Sequence, residues 1–207
     1  MPELSAARRL GPLAGIALPT RVELDGGIGI RLSLPPAPSI VMAEARRGAA
    51  VEMAQRIAER FGRMPQPGRS IGEATLVLHS APETLLILGE GRAEGELVAE
   101  LRALLGETAS PVDNSHGRAL IRLGGAKARE LLSFGTAVDL AAESFPPGAC
   151  ASTLLGHIAV TLLLRSDDPE AGPVFDLVVA RGFAESLWDW LIGRARRFGY
   201  EVTAPAG

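Results

Sequence analysis

Three residues of chemically suggestive type stand within four positions of one another: Asp113, Ser115 and His116, in "VDNSHGRALIRLGGAKARELL". They are the residue types of a nucleophile, a general base and the acid that orients the base. Two facts weigh against a triad. Triads are assembled from distant segments, because each group approaches the next at its own angle. Asp, Asn and Ser just before a strand ordinarily bond to the local backbone. His116 as a general base also needs a nucleophile within reach, and none is placed for it.

Other stretches invite similar readings. "GRSIG" (residues 68–72) satisfies the G-x-S-x-G pattern, and Ser70, Asp113 and His116 occur in the order that α/β-hydrolases use. That pattern works only where a strand delivers the serine into a tight turn and a helix follows. Here "MPQP" precedes and a strand-like run follows, so a polar loop is the better reading. "LLILGEGRAEGELV" runs from a strand through Gly89 and Gly91 into a helix, as dinucleotide sites do. Its third glycine, Gly95, comes one position late for G-x-G-x-x-G, and a parallel βαβ context is missing. His79, His116, His157 and Cys150 are scattered, without the paired spacing of metal ligands. No catalytic, cofactor-binding or metal-binding residue therefore emerges from the motifs.

The elements around these motifs form a pattern of their own. Residues 1–27 read as an extended, Pro/Gly-marked lead-in. "GIGIRLSL" alternates apolar and polar positions (Ile28, Ile30, Leu32, Leu34), which is the period of a half-buried strand. "SIVMAEA" is a second strand, and Val51, Ala54, Ile57, Ala58 and Phe61 form a helical stripe ending at Gly62. A loop, "MPQPGRSIGE", leads to "ATLVLHS" and "ETLLILG", a hairpin. A helix with Leu97, Leu101, Leu104 and Leu105 on one face then ends at Gly106.

The same order recurs in the second half. "RALIRL" is a strand and "AKARELLSF" a helix that stops at Gly135. "STLLGHIAVTLLL" is two strands meeting near Gly156, "FDLVVA" is a strand, and "FAESLWDWLIGRARRFG" is the closing helix. The chain thus divides into a lead-in (1–27), a first β-α-β-β-α half (28–111), a second (112–200) and a tail (201–207). Hairpins between the helices exclude a doubly wound parallel sheet and predict an α+β domain with a mostly antiparallel sheet. The repeat also bears on the glycine motif. At the matching place "VVARGFAESLW" builds the same strand-to-helix turn without a glycine pair, so the feature reads as a turn.

Composition bounds the function. At 47% hydrophobic and 22% charged, with net charge −3, the 207-residue chain has no electrostatic footprint for nucleic acid. No window approaches the roughly 20 apolar residues of a membrane span. "ARRLGPLAGIAL" faintly resembles an export signal, but Pro12 and Pro19 cut the run and no small-residue cleavage site follows. One cysteine excludes an intrachain disulfide and points to a reducing, cytoplasmic setting.

The closing helix spreads Phe183, Leu187, Trp188, Trp190, Leu191, Ile192, Ala195 and Phe198 over an arc of about 200°. A helix packed on one sheet needs only about 100°. Either a neighbouring loop covers the surplus, or Trp188, Trp190 and Ile192 face another subunit. The "FPPG" loop, with Phe145, Pro146 and Pro147, is the second interface candidate.

"VDNSHGRALIRLGGAKARELLSFGTAVDL", "FPPGACASTLLGHIAVTLLL" and "FAESLWDWLI" resemble the gamma subunit of heterotetrameric sarcosine oxidase. "RRLGPLAGI" is loosely like that family's start. The family in turn resembles the first domain of the glycine-cleavage aminomethyltransferases, which enter this strand with a similar D-x-S-H. The resemblance implies an aminomethyltransferase-like, folate-binding-domain-like single domain. It implies a place in a cytoplasmic oxidoreductase complex with alpha, beta and delta subunits, which oxidatively demethylates sarcosine to glycine with hydrogen peroxide as product. The one-carbon unit can pass to tetrahydrofolate. FAD, FMN, NAD, tetrahydrofolate and zinc are expected on the other subunits, and none on this chain. Those transferases place an acid on the strand after the hairpin glycine, whereas this chain has Ala159, Val160 and Thr161 there.

Overall fold

A computed structural model describes residues 11–13 and 15–203. The start of the lead-in (1–10), Ala14 and most of the tail (204–207) lie outside the described residues. The chain runs β1 (Thr20–Val22), β2 (Ile30–Ser33), β3 (Ser39–Ala45), α1 (Ala50–Phe61), β4 (Ser70–Ile71), β5 (Thr75–Ala81), β6 (Thr84–Gly89), α2 (Glu96–Leu105) and β7 (Ala109–Asp113). It continues β8 (Arg118–Gly124), α3 (Ala128–Ser133), β9 (Cys150–Leu155), β10 (Ile158–Asp168), β11 (Gly172–Ala180), α4 (Ala184–Ala195) and β12 (Tyr200–Val202). This is the α+β class with the mainly antiparallel pairing that the alternation of elements implies.

The strands form two sheets, ordered β4-β5-β6-β3-β7 and β1-β12-β2-β8-β11-β10-β9. Period-2 alternation sets which side chains face which layer. On β3, β5 and β6, Val41, Ala43, Val77, Leu85 and Ile87 pack against Met53 and Ile57 of α1 and Leu97, Leu101 and Leu105 of α2. The intervening residues Ile40, Leu76, Leu78, Leu86 and Leu88 turn the other way, onto Leu120, Cys150, Leu163 and Val178 of the second sheet. That sheet's outer face (Ile121, Leu123, Leu162, Phe175, Leu177) packs on Leu131 and Leu132 of α3 and Leu187 and Leu191 of α4. The molecule is therefore helix, sheet, sheet, helix. The central strands β3, β6, β8, β10 and β11 are largely buried on both faces, which is why they read as nearly continuous apolar runs, whereas β1, β2, β7 and β9 keep exposed positions.

The two halves are not separate units. β2, from the first half, inserts between β8 and β12 in the second half's sheet and pairs parallel with β12. β7 follows α2 and pairs with β3, and it carries Pro111 at a sheet edge, where a missing N–H costs no ladder bond. Three short strands, β4, β7 and β12, add to those expected from the sequence, whereas β9 and β10 are the two strands expected of "STLLGHIAVTLLL". β4 is a two-residue strand inside the expected loop, and it occupies the same place beside β5 that β9 takes beside β10.

Two local expectations shift. The α1 stripe runs through Met53 and Ile57, and Val51 is 73% exposed, because the buried phase is set by the sheet below and not by the longest apolar run. Gly62 ends α1 with φ 85°, the left-handed cap expected of it. Gly135 ends α3 for a different reason. A Cβ there would sit 2.5 Å from the Trp190 ring, so the glycine is required by the approach of α4.

Candidate functional site

The strand entry at 113–116 folds into a latch. Asp113 Oδ1 accepts the Ser115 N–H at 2.8 Å, a local Asx turn. Ser115 is buried at 3% exposure, and its Oγ accepts the Ile40 N–H at 2.8 Å and donates to the Ile40 carbonyl at 3.4 Å. The Asn114 N–H donates to the same carbonyl at 2.8 Å. His116 points away, its Nε2 lying 2.7 Å from Glu94 Oε1, with both side chains well exposed. Ser115 is thus committed to the β3 backbone, where β3 meets the link from β7 to β8, and the His116 ring pairs with Glu94. Ser115→Ala is expected to cost about 1–3 kcal/mol, because the buried Ile40 N–H loses its acceptor. His116→Ala is expected to stay within about 0.5 kcal/mol. Urea unfolding of the two variants checks the contrast.

Ser70 is held just as firmly. Its N–H and its Oγ both donate to the Gly148 carbonyl, at 2.8 and 3.1 Å. It starts a strand and no helix follows, so the elbow geometry is absent. The glycine turn before α2 is filled by the chain itself. Glu96 Oε2 accepts the Ala93 N–H at 3.1 Å, and Arg92 reaches Glu96 and Glu100 at 3.0 and 2.8 Å. Those side chains occupy the helix N-terminus where a phosphate would lie.

Among the described residues no group of three or more His, Cys, Asp or Glu side chains is placed to hold a metal ion. Cys150 is buried between the sheets, and burial pushes its thiol from 9.0 up to about 11, against an opposing effect of Arg69. The thiolate is the reactive form, and burial disfavours it here. The folded-state pKa is raised. The associated stability is present below pH ~9 and is lost as pH rises toward about 11. Across that window the stability of the wild type is expected to fall more steeply than that of Cys150→Ala, as measured by urea midpoints.

The layer between the sheets holds the features that sequence reading missed. Asp176 on β11 is fully buried, and Arg122 on β8 grips it with Nε at 2.7 Å and Nη2 at 2.9 Å. Arg165 on β10 approaches the same carboxylate at 3.8 Å and Glu90 at 3.3 Å. The Asp176 carboxylate holds the Arg122 guanidinium above its usual pKa. The available signal was parity: Arg122, Arg165 and Asp176 share the strand faces of Leu120, Leu163 and Val178. A charge at such a position requires a partner.

Two clefts open at opposite ends of this layer. One, of about 530 Å³, is lined by Ser70, Glu73, Leu76, Glu90, Leu163 and Arg165. The other, of about 440 Å³, is lined by Met42, Ser80, Thr84, Arg118, Ser152 and Thr161, together with Ala159 and Val160. Thr161 is nearly buried, 3.4 Å from Ser152 Oγ. This second cleft contains the strand segment where an acid was sought, and its lining offers hydroxyls and one guanidinium but no carboxylate.

The interface candidates divide. Phe145 and Trp188 are in the chain's own core, at 5% and 4% exposure, so little of either ring is left for another chain. Trp190 and Ile192 are half-buried against that core. Trp190 lies over Gly135 and Gly156, with Arg194 at 5.4 Å from its ring. Part of the wide apolar arc on α4 is thus covered by the chain's own turns. Pro146 is half-buried, and Pro147 is exposed on the wall of a groove with Arg63 and Arg69.

Comparison with solved structures places this architecture. The chain superposes on a heterotetrameric sarcosine oxidase from Corynebacterium sp. U-96, solved with pyrrole 2-carboxylate, with TM-score 0.75 at 23% identity, covering 92% of this chain and 96% of that one. It also superposes on the glycine cleavage system aminomethyltransferase T from Bartonella henselae, with TM-score 0.64 at 13% identity. There it covers 92% of this chain and 58% of the transferase, so the likeness spans little more than half of that protein. No curated protein sequence matches the chain. A family model, described as "Sarcosine oxidase, gamma subunit family", matches residues 68–196, well over half of the chain. The chain belongs to the sarcosine oxidase gamma subunit family.

Proposed function

We propose that this chain is the non-catalytic gamma subunit of a cytoplasmic heterotetrameric sarcosine oxidase. The complex would oxidatively demethylate sarcosine to glycine, release hydrogen peroxide and pass the one-carbon unit to tetrahydrofolate. The alpha, beta and delta subunits would carry the flavins, NAD, folate and zinc. The observation that supports the non-catalytic part is that Ser115, Ser70 and Cys150 are already committed. Ser115 is bonded to Ile40, Ser70 to Gly148, and Cys150 is buried with its pKa raised.

The test is made in the assembled oxidase. Ser70→Ala and His116→Ala are expected to leave sarcosine turnover within about twofold of wild type, since neither group acts on substrate. A hundredfold loss in either variant with assembly intact, on the scale of losing a general base, would refute the non-catalytic reading.

The transferase-like fold and the cleft of about 440 Å³ give some support to a second reading, a stand-alone folate-binding or aminomethyltransferase-like protein. Calorimetry with tetrahydrofolate on the isolated chain separates the two. Without a carboxylate in the cleft, the first reading predicts no saturable heat.

A further inference from the structure

We propose that the groove between the 62–72 turn and the 145–149 loop receives an acidic segment of a partner subunit, with Arg63 and Arg69 meeting its carboxylates. This rests on the assignment to a multisubunit oxidase and adds the surface and the chemistry of one contact. The groove, of about 510 Å³, is lined by Arg63, Met64, Gln66, Arg69, Ile71 and Pro147, together with Ser70 and Gly148. No acidic side chain is among them.

The arginines here differ from most of their neighbours. Arg56, Arg60 and Arg92 pair with Glu52, Glu100 and Glu96. Arg63 and Arg69 make no ion pair or side-chain hydrogen bond among the described residues. In a chain of net charge −3, two unpaired guanidinia on one groove are a concentrated positive site. A guanidinium recognises carboxylates in a two-pronged geometry, and Met64, Ile71 and Pro147 add apolar contact beside it.

The floor of the groove is held in place. The Ser70 N–H donates to Gly148 O at 2.8 Å and the Cys150 N–H to Gly68 O at 2.9 Å, so the two sheets are tied together beneath it. His79 N–H donates to Arg69 O at 3.1 Å, and His79 Nδ1 lies 3.2 Å from Pro65 O. A held backbone lowers the ordering cost of docking. The groove continues into the neighbouring intersheet cleft, where Glu73 and Glu90 stand. Glu90 there is paired with Arg165, and Arg63 lines both openings, so the excess positive charge lies at the Arg63 and Arg69 end.

The test uses tagged chain co-expressed with the remaining subunits, and reads the flavin recovered per chain. Arg63→Glu with Arg69→Glu is expected to recover at least tenfold less than wild type. The milder Arg63→Gln with Arg69→Gln pair should lose several-fold while keeping the wild-type unfolding midpoint. Arg31→Glu with Arg47→Glu makes the same charge change at exposed positions away from the groove, and should match wild type. Wild-type recovery by both groove pairs would overturn the proposal, as would equal loss in the Arg31 and Arg47 control. If the wild-type chain itself recovers no flavin, the oxidase assignment fails, and the docking proposal falls with it.

Discussion

Asp176→Ala is expected to lower the unfolding free energy by about 3 kcal/mol, the low end of the roughly 3–5 kcal/mol range for breaking a buried ion pair. The carboxylate is 1% exposed and accepts both prongs of Arg122, with Arg165 on its second side. Its removal leaves two guanidinia facing each other between the sheets with only Glu90 to share. The low end applies because the Arg122 and Arg165 side chains retain 29% and 24% exposure, and water screens part of the uncompensated charge. The loss should come mostly from the orphaned charges and not from a missing attraction. Replacing the set together, as Asp176→Leu with Arg122→Leu and Arg165→Met, should therefore cost less than Asp176→Ala alone. Denaturant unfolding of the two variants settles it. A single-variant effect within about 0.5 kcal/mol would show that the cluster is not a structural linchpin.

Gly156→Ala is expected to cost about 2–4 kcal/mol, combining two separable penalties. Gly156 has φ 56°, and an L-residue held there pays about 1–2 kcal/mol. Its new Cβ would also lie 2.5 Å from Trp190 Nε1, and overpacking costs about 1–3 kcal/mol. The two can be told apart, because removing the ring abolishes only the second. In a cycle with Trp190→Ala, the double variant should be more stable than the sum of the singles by about 1–3 kcal/mol. Strict additivity would mean that the tryptophan swings clear at no cost. The wider consequence concerns α4. Trp190 joins it to the β9–β10 turn and to the end of α3, so this ring organises the surface that the interface candidates were meant to form.

How much of this was legible in the sequence depended on scale. The longer strands, the helices and the hairpins were readable because period-2 and 3.6-residue patterns report burial locally. β12's parallel pairing with β2 was not, since three residues carry no periodicity and their partners, such as Ile30 for Tyr200, lie 170 positions away. The same limit hid the Arg122, Asp176 and Arg165 cluster, which three separate strands bring together. Trp188 and Trp190 illustrate the difference most directly. Both lie on the wide apolar arc of α4, yet one is swallowed by the core and the other lies over two glycines, Gly135 and Gly156, whose local sequence marks only a helix stop and a strand junction. What Ser70 and Ser115 bond to was hidden for the same reason: their backbone partners, Gly148 and Ile40, lie 78 and 75 positions away.

The central claim, that the chain works as a member of an oxidase complex and not alone, is tested most directly by copurification. Tagged chain expressed with the products of the neighbouring genes should elute with three further polypeptides and a flavin absorbance band. A monodisperse single chain, colourless and never joining a flavin-containing assembly under those conditions, would contradict it.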